Sequence, residues 1–239
     1  MKTTTLALLV LASLAAPAAA NANGFALELG LVWAGPQESA VRAIDDRADA
    51  LSTIGLGGAW TVTRVGDFRV DALASWGVGS YGASLGSDIS SELLEHTFEL
   101  GARLRWARFF FLQPYVALRA GPTFGWYDVT GNGALESFDV TARVEPTGGF
   151  EAFFPFSGMS GRLPHPLSRT DRKSGWAGTG IGIGLDVGYR FQTAYRFEGE
   201  PPEPDDEDEA KDALPRVGPD LGRLTLSGVR MGVNVVVRF

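Results

Sequence analysis

The side chains that could do chemistry in this chain are arginines and carboxylates. Twelve of them stand at alternate positions in otherwise apolar or small-residue segments: Glu28, Arg69, Asp71, Glu99, Arg103, Arg105, Arg119, Arg143, Glu145, Asp186, Arg190 and Arg230. Guanidinium and carboxylate on one face suit a gated ion path, a ligand site or a structural ion-pair network. With no Cys, disulfides, thiol nucleophiles and Cys-based zinc sites are excluded. There are two His, His96 near the end of an alternating segment on its apolar side, and His165 in Leu163-Pro164-His165-Pro166. A hydrolase built on His96 needs a Ser partner, and none stands at a suitable offset on that segment. The Gly178-x-Gly180-x-Gly182-x-Gly184 run lacks the Lys-Ser/Thr and the following helix of a phosphate loop. We therefore expect no catalytic residue, no metal site and no cofactor.

Composition narrows the setting. The chain has 239 residues and a formal net charge of −7, which argues against a nucleic-acid partner. Mean hydropathy is +0.03, too polar for a bundle of membrane helices. It is compatible with a membrane β-barrel, whose strands average apolar and polar faces. Lys occurs only at Lys2, Lys173 and Lys211, so 18 of the 21 basic residues are Arg. Met1–Ala20 has Lys2, an apolar run from Leu6 to Leu14 and a small-residue end. That is a secretory signal peptide, with cleavage after Ala20 or Ala22. Its apolar run is too short to span a bilayer, which takes about 20 residues. Residues 23–239 are expected to form one domain.

The elements that must position the charges are strands, because period-two alternation repeats eight times. Phe25–Trp33, Ile54–Arg64, Phe68–Val78, Leu94–Trp106 and Pro114–Trp126 are regular. Phe138–Phe154 is interrupted by Pro146 and Gly148-Gly149, where a bulge or break is expected. Ala177–Phe197 never breaks phase and reads as one long strand, its even-numbered glycines leaving room for Arg side chains from across the interior. The last segment is Thr225–Phe239. Connections at 64–67 and 107–113 are short. Those at 35–51, 80–91, 128–137 and 199–222 are longer and polar, and 155–174 is a long exception.

The polar faces carry Gly, Thr, Arg and Asp/Glu with almost no Lys. Lys favours open water, whereas the weakly hydrated Arg fork suits enclosed carboxylate pairs. The polar face is therefore inside and the apolar face meets lipid. The fold expected is an all-β, closed, antiparallel up-and-down transmembrane barrel, most simply of eight strands. Trp33, Trp76, Trp126, Trp106 and Trp176 lie near segment ends, as in interfacial aromatic girdles. An eight-strand interior is just wide enough for side chains, which favours a structural network over a path.

The chain ends Met231-x-Val233-x-Val235-x-Val237-x-Phe239. Together with the leader and the eight alternating segments, this resembles the small eight-stranded outer-membrane barrel superfamily, of the OmpA, OmpX and OmpW kind. The resemblance implies a Gram-negative outer membrane, contact with its lipid and lipopolysaccharide, and delivery by the barrel-insertion machinery. It makes Phe239, Val237, Val235, Val233 and Met231 the assembly signal. The function expected is non-enzymatic, a structural or surface-interaction role with outer loops making the contacts. A narrow channel for ions or small solutes is the alternative, and a lipid-modifying barrel enzyme a third. One outer loop, 198–222, is acidic: Glu198–Asp212 holds nine acidic residues against Lys211, without the Gly of a calcium-loop turn. Outside the leader and that segment, basic and acidic residues number 19 each, so the negative charge belongs to one loop.

Overall fold

The computed structural model describes residues 24–36, 51–85, 89–108, 112–130, 134–156, 180–198 and 220–239. The leader, His165, Trp176 and most of the acidic loop lie outside the described residues.

Among the described residues there are ten strands: β1 (Phe25–Pro36), β2 (Leu51–Val65), β3 (Phe68–Leu85), β4 (Ile89–Trp106), β5 (Leu112–Thr130), β6 (Ala134–Pro155), β7 (Gly180–Gln192), β8 (Tyr195–Glu198), β9 (Asp220–Leu224) and β10 (Gly228–Arg238). Eight of them close a barrel in the order β1-β10-β7-β6-β5-β4-β3-β2, and β8 and β9 form a separate two-stranded sheet. Every pairing is antiparallel, and the seam runs from Ala26↔Arg238 to Pro36↔Gly228. Full closure leaves the barrel no free edge. Phe25 and Phe239 share one end, called here the terminus end. The other end is the mouth.

The alternation sorts as the sequence predicts. Outward side chains are large, apolar and exposed, with Leu100 at 72% and Met231 at 62%. An apolar surface encircling a barrel is a lipid-facing surface. Inward positions hold buried Arg, Glu and Asp. At the terminus end Gly66 takes φ +62°, the left-handed conformation that closes the β2–β3 turn.

Four expectations are corrected. The polar stretches 80–91 and 128–137 are largely strand, paired out to Leu85↔Ile89 and Thr130↔Ala134. Ladder hydrogen bonds need no apolar face, so polar strand beyond the apolar band carries little hydropathy signal. The expected break in β6 is absent: its register to β5 is unbroken from Leu112↔Ala152 to Thr130↔Ala134. Pro146 only leaves a gap in the ladder to β7, between Val144↔Phe191 and Thr147↔Gly188, without a shift. The long strand expected over 177–197 ends at Gln192, and the chain turns over the mouth at 193–194 into β8. The segment expected to begin at Thr225 enters the barrel only at Gly228, because Leu224 and Leu226 belong to the mouth.

Candidate functional site

The candidate site is the charged lumen with the hairpin that covers it. Toward the terminus end, Arg103 sits 2.6 Å from Glu28 and 3.1 Å from Asp71. Arg105 reaches Asp71 at 2.8 Å and Glu151 at 3.4 Å. Arg238 pairs with Glu151 and donates to Gln113 Oε1 at 3.3 Å. Arg69 lies opposite Arg105 across β3 and β4. Arg238 also lies over the Phe153 ring, 4.5 Å from its centroid.

Nearer the mouth, Glu145 is a hub. Arg230 reaches it at 2.6 Å, Arg190 at 2.7 Å and Arg143 at 3.4 Å. Arg143 also pairs with Glu99 at 3.2 Å, and Arg230 with Asp186 at 2.7 Å. Asp186 accepts from Tyr115 at 3.1 Å and Asn234 at 2.9 Å. The two layers meet where Arg119 stands 3.7 Å from Glu28. Burial removes these charges from water, so each depends on its partners, and losing one partner is costly.

The structure thus brings all twelve predicted charges into one interior. It adds Glu95, Glu151 and Arg238, which have the same inward parity, and the neutral groups Gln113, Tyr115, Gln192 and Asn234. Parity alone could have found all seven. The glycines expected to make room for Arg on β7 do something else. A Cβ at Gly182 would meet Glu151 Oε1 at 2.7 Å, and one at Gly184 would lie 3.7 Å from Asn234. A glycine that does clear space for Arg is on β10, where a Cβ at Gly232 would meet Arg230 Nη2 and Asp186 Oδ1, each at 2.7 Å.

The mouth is covered from inside. Tyr195 and Phe197 of β8, with Leu224 and Leu226, pack on Tyr81, Leu93 and Tyr127. Tyr195 is fully buried. The Phe197 ring stacks on Tyr127 at 4.9 Å and on Tyr195 at 5.1 Å. The Tyr195 hydroxyl donates to Glu95 Oε1 at 2.7 Å, and Gln192 Nε2 donates to the same oxygen at 3.0 Å. Burial first, then the Glu95 carboxylate, hold the Tyr195 phenol well above its ordinary range, so it stays a donor. Outside the apolar seat, the Arg196 backbone N–H donates to Asp139 Oδ2 at 2.6 Å. This lid was not legible in the sequence: Phe191, Tyr195 and Phe197 keep one parity across 193–194 while their surroundings change from lipid to lumen.

Beneath the lid the lumen holds a cavity of about 60 Å³ between glycine-rich walls (Gly30, Gly55, Gly57, Gly77) and Glu28, Arg119 and Arg143. That is room for roughly four waters, at about 15 Å³ of accessible volume each. Outside the barrel, His96 faces outward between Trp76, at 6.0 Å, and Trp126, at 5.2 Å between ring centroids. Met231, Val233, Val235 and Phe239 are exposed on the outer wall, and Phe239 stacks on Phe25 at 6.3 Å. Among the described residues no group of three or more His, Asp or Glu is placed to hold a metal ion.

A family model described as outer membrane protein beta-barrel domain matches residues 4–239. Among curated proteins none matches the sequence. Ail, the attachment invasion locus protein of Yersinia pestis, is a similar solved structure at 12% identity and a TM-score of 0.44, over 91% of this chain and 99% of that one. Neisserial surface protein A is similar at 12% identity and 0.39, over 92% and 98%. The N-terminal β-barrel domain of Pseudomonas aeruginosa OprF is similar at 11% and 0.36, over 91% and 98%.

Proposed function

The chain belongs to the outer membrane β-barrel family, and from that premise we propose that it is a non-enzymatic barrel with a structural or surface-interaction role. The observation that carries this reading is the filled interior. Charged side chains cross-link the wall from within, the lid covers the mouth, and the cavity beneath it measures about 60 Å³. A barrel braced in this way is a stiff mount for whatever its mouth displays. The paired strand tips at Leu85↔Ile89 and Thr130↔Ala134 and the acidic segment after β8 are what it displays. Outer-membrane lipid and lipopolysaccharide are the partners of the apolar belt. The insertion machinery is the partner of the run from Met231 to Phe239.

Purified protein in a planar bilayer tests the reading. A scaffold gives silence under applied voltage, and steady openings would refute it in favour of a narrow channel. The channel reading has one observation in its favour: β8 and β9 form a sheet separate from the closed barrel, so the mouth has a part that is not built into the wall.

A further inference from the structure

We propose that the lumen holds the two halves of one water path, and that an apolar layer around Leu73 is the seal that interrupts it. The proposal rests on the non-conducting reading above and assigns that closure to particular side chains.

The cavity of about 60 Å³ follows β1, β2 and β3 from Val32, Thr53 and Gly77 down to Glu28, Gly57 and Ser75. A second cavity, of about 20 Å³, continues along the same three strands from Ala26, Ala59 and Asp71 to Gly24, Thr61 and Arg69 at the terminus end. On β1 and β2 the two linings are consecutive inward residues, Ala26 then Glu28, and Ala59 then Gly57. On β3 one inward residue, the buried Leu73, stands between Asp71 of the lower cavity and Ser75 of the upper. On β10 the buried Val236 stands in the same way between Arg238 and Asn234. Leu73 and Val236 line neither cavity, so the two voids come within one residue step of each other and stop at hydrocarbon.

Strand register closes the layer. Ala26 pairs with Ala59, and Ala59 with Leu73. These three pack in one buried cluster with Val236, Ala117 and Tyr115. Tyr115 comes from β5, which is four strands from β1 either way round the barrel, so it fills the opposite side. Arg103 lies over its ring, 5.4 Å from the centroid, and reaches on to Glu28. Water in the upper cavity has Glu28, Ser75 and Arg119 as partners, and water in the lower one has Thr61, Asp71 and Arg105. Between them Ala26, Ala59, Leu73 and Val236 offer none. A constriction lined by hydrocarbon dewets, and an ion entering it loses its hydration with nothing in exchange. The barrel is thus sealed by a dry layer although both halves of its lumen are polar.

Proteoliposomes of the whole protein, with an entrapped pH-sensitive dye and an imposed potassium diffusion potential, read the seal as proton influx. Protons are the right probe because they need only a file of waters. Wild type should match protein-free vesicles. Leu73→Ser opens the layer and wets it, and influx should rise several-fold. Leu73→Ile keeps the apolar volume and should stay at the wild-type rate. Influx in Leu73→Ser no faster than in wild type would overturn the seal and leave the scaffold reading standing. Wild-type influx above that of protein-free vesicles would also overturn it, while steady openings in the planar bilayer judge the scaffold reading separately. If Leu73→Ser does not fold, Val236→Thr, which puts a hydroxyl in the layer at unchanged size, takes its place, and an unchanged influx there overturns the proposal.

Discussion

Tyr195 and Glu95, one hundred residues apart in the chain, are joined by a 2.7 Å hydrogen bond that ties the lid to the lumen. Glu95 Oε2 lies 3.9 Å from both Arg143 Nη1 and Arg190 Nη1. The same carboxylate therefore holds the lid with one oxygen and faces the ion-pair network with the other.

Tyr195→Phe keeps the ring and removes the bond. It leaves a buried acceptor short of a donor, a loss of about 1–3 kcal/mol. The expected result is faster protease cleavage in the lid with little change in barrel unfolding. Unaltered cleavage kinetics would show that apolar packing alone holds the lid.

Gly125→Val approaches the same latch from the barrel wall. A Cβ at this position would lie 2.7 Å from Tyr195 Cε1 and 2.9 Å from Cζ, so the ring must leave its seat. The variant removes no polar group, yet should give the same lid cleavage as Tyr195→Phe or more. Protection equal to the wild type would contradict the packing described.

Glu145→Gln removes the hub of the upper layer. Three guanidiniums lose their shared counter-charge, and a cost of about 3–5 kcal/mol is expected. On heated, unboiled gels the folded band should vanish at a clearly lower temperature than in the wild type. Arg119→Ala should lower it less, since its one described carboxylate contact is at 3.7 Å. If the two variants melt alike, Glu145 is not a hub in energetic terms.

Gly232→Ala tests the space beside that hub. The added methyl would meet Arg230 Nη2 and Asp186 Oδ1, each at 2.7 Å, and displace the pair. A lower melting temperature is expected on the same gels, and one equal to the wild type would show that the pair can shift to admit the methyl.

The barrel was legible because lipid outside and charge inside impose opposite chemistry on successive residues. Phe98, Leu100 and Leu104 against Glu99, Arg103 and Arg105 state that contrast within one segment. The pairing of particular charges was not legible, since register between strands decides whether Glu145 meets Arg190 or another Arg. The lid was hidden for a different reason. Tyr195 and Phe197 suit an aromatic seat inside the mouth as well as a lipid face, and alternation cannot distinguish two apolar surroundings. Pro146 misled in the opposite direction: a missing N–H removes one ladder bond, and the flanking pairs hold the register.

Arg190 of β7 pairs directly with Gly228 of β10. The chain leaves the wall after Gln192 and returns to it at Gly228, close to where it left. The 193–227 stretch is thus an insertion, and its two ends are already joined by the sheet. Selection or a protein engineer can lengthen, shorten or exchange that cassette without renegotiating the barrel. The part of the molecule most open to change is then the part that stands at the mouth.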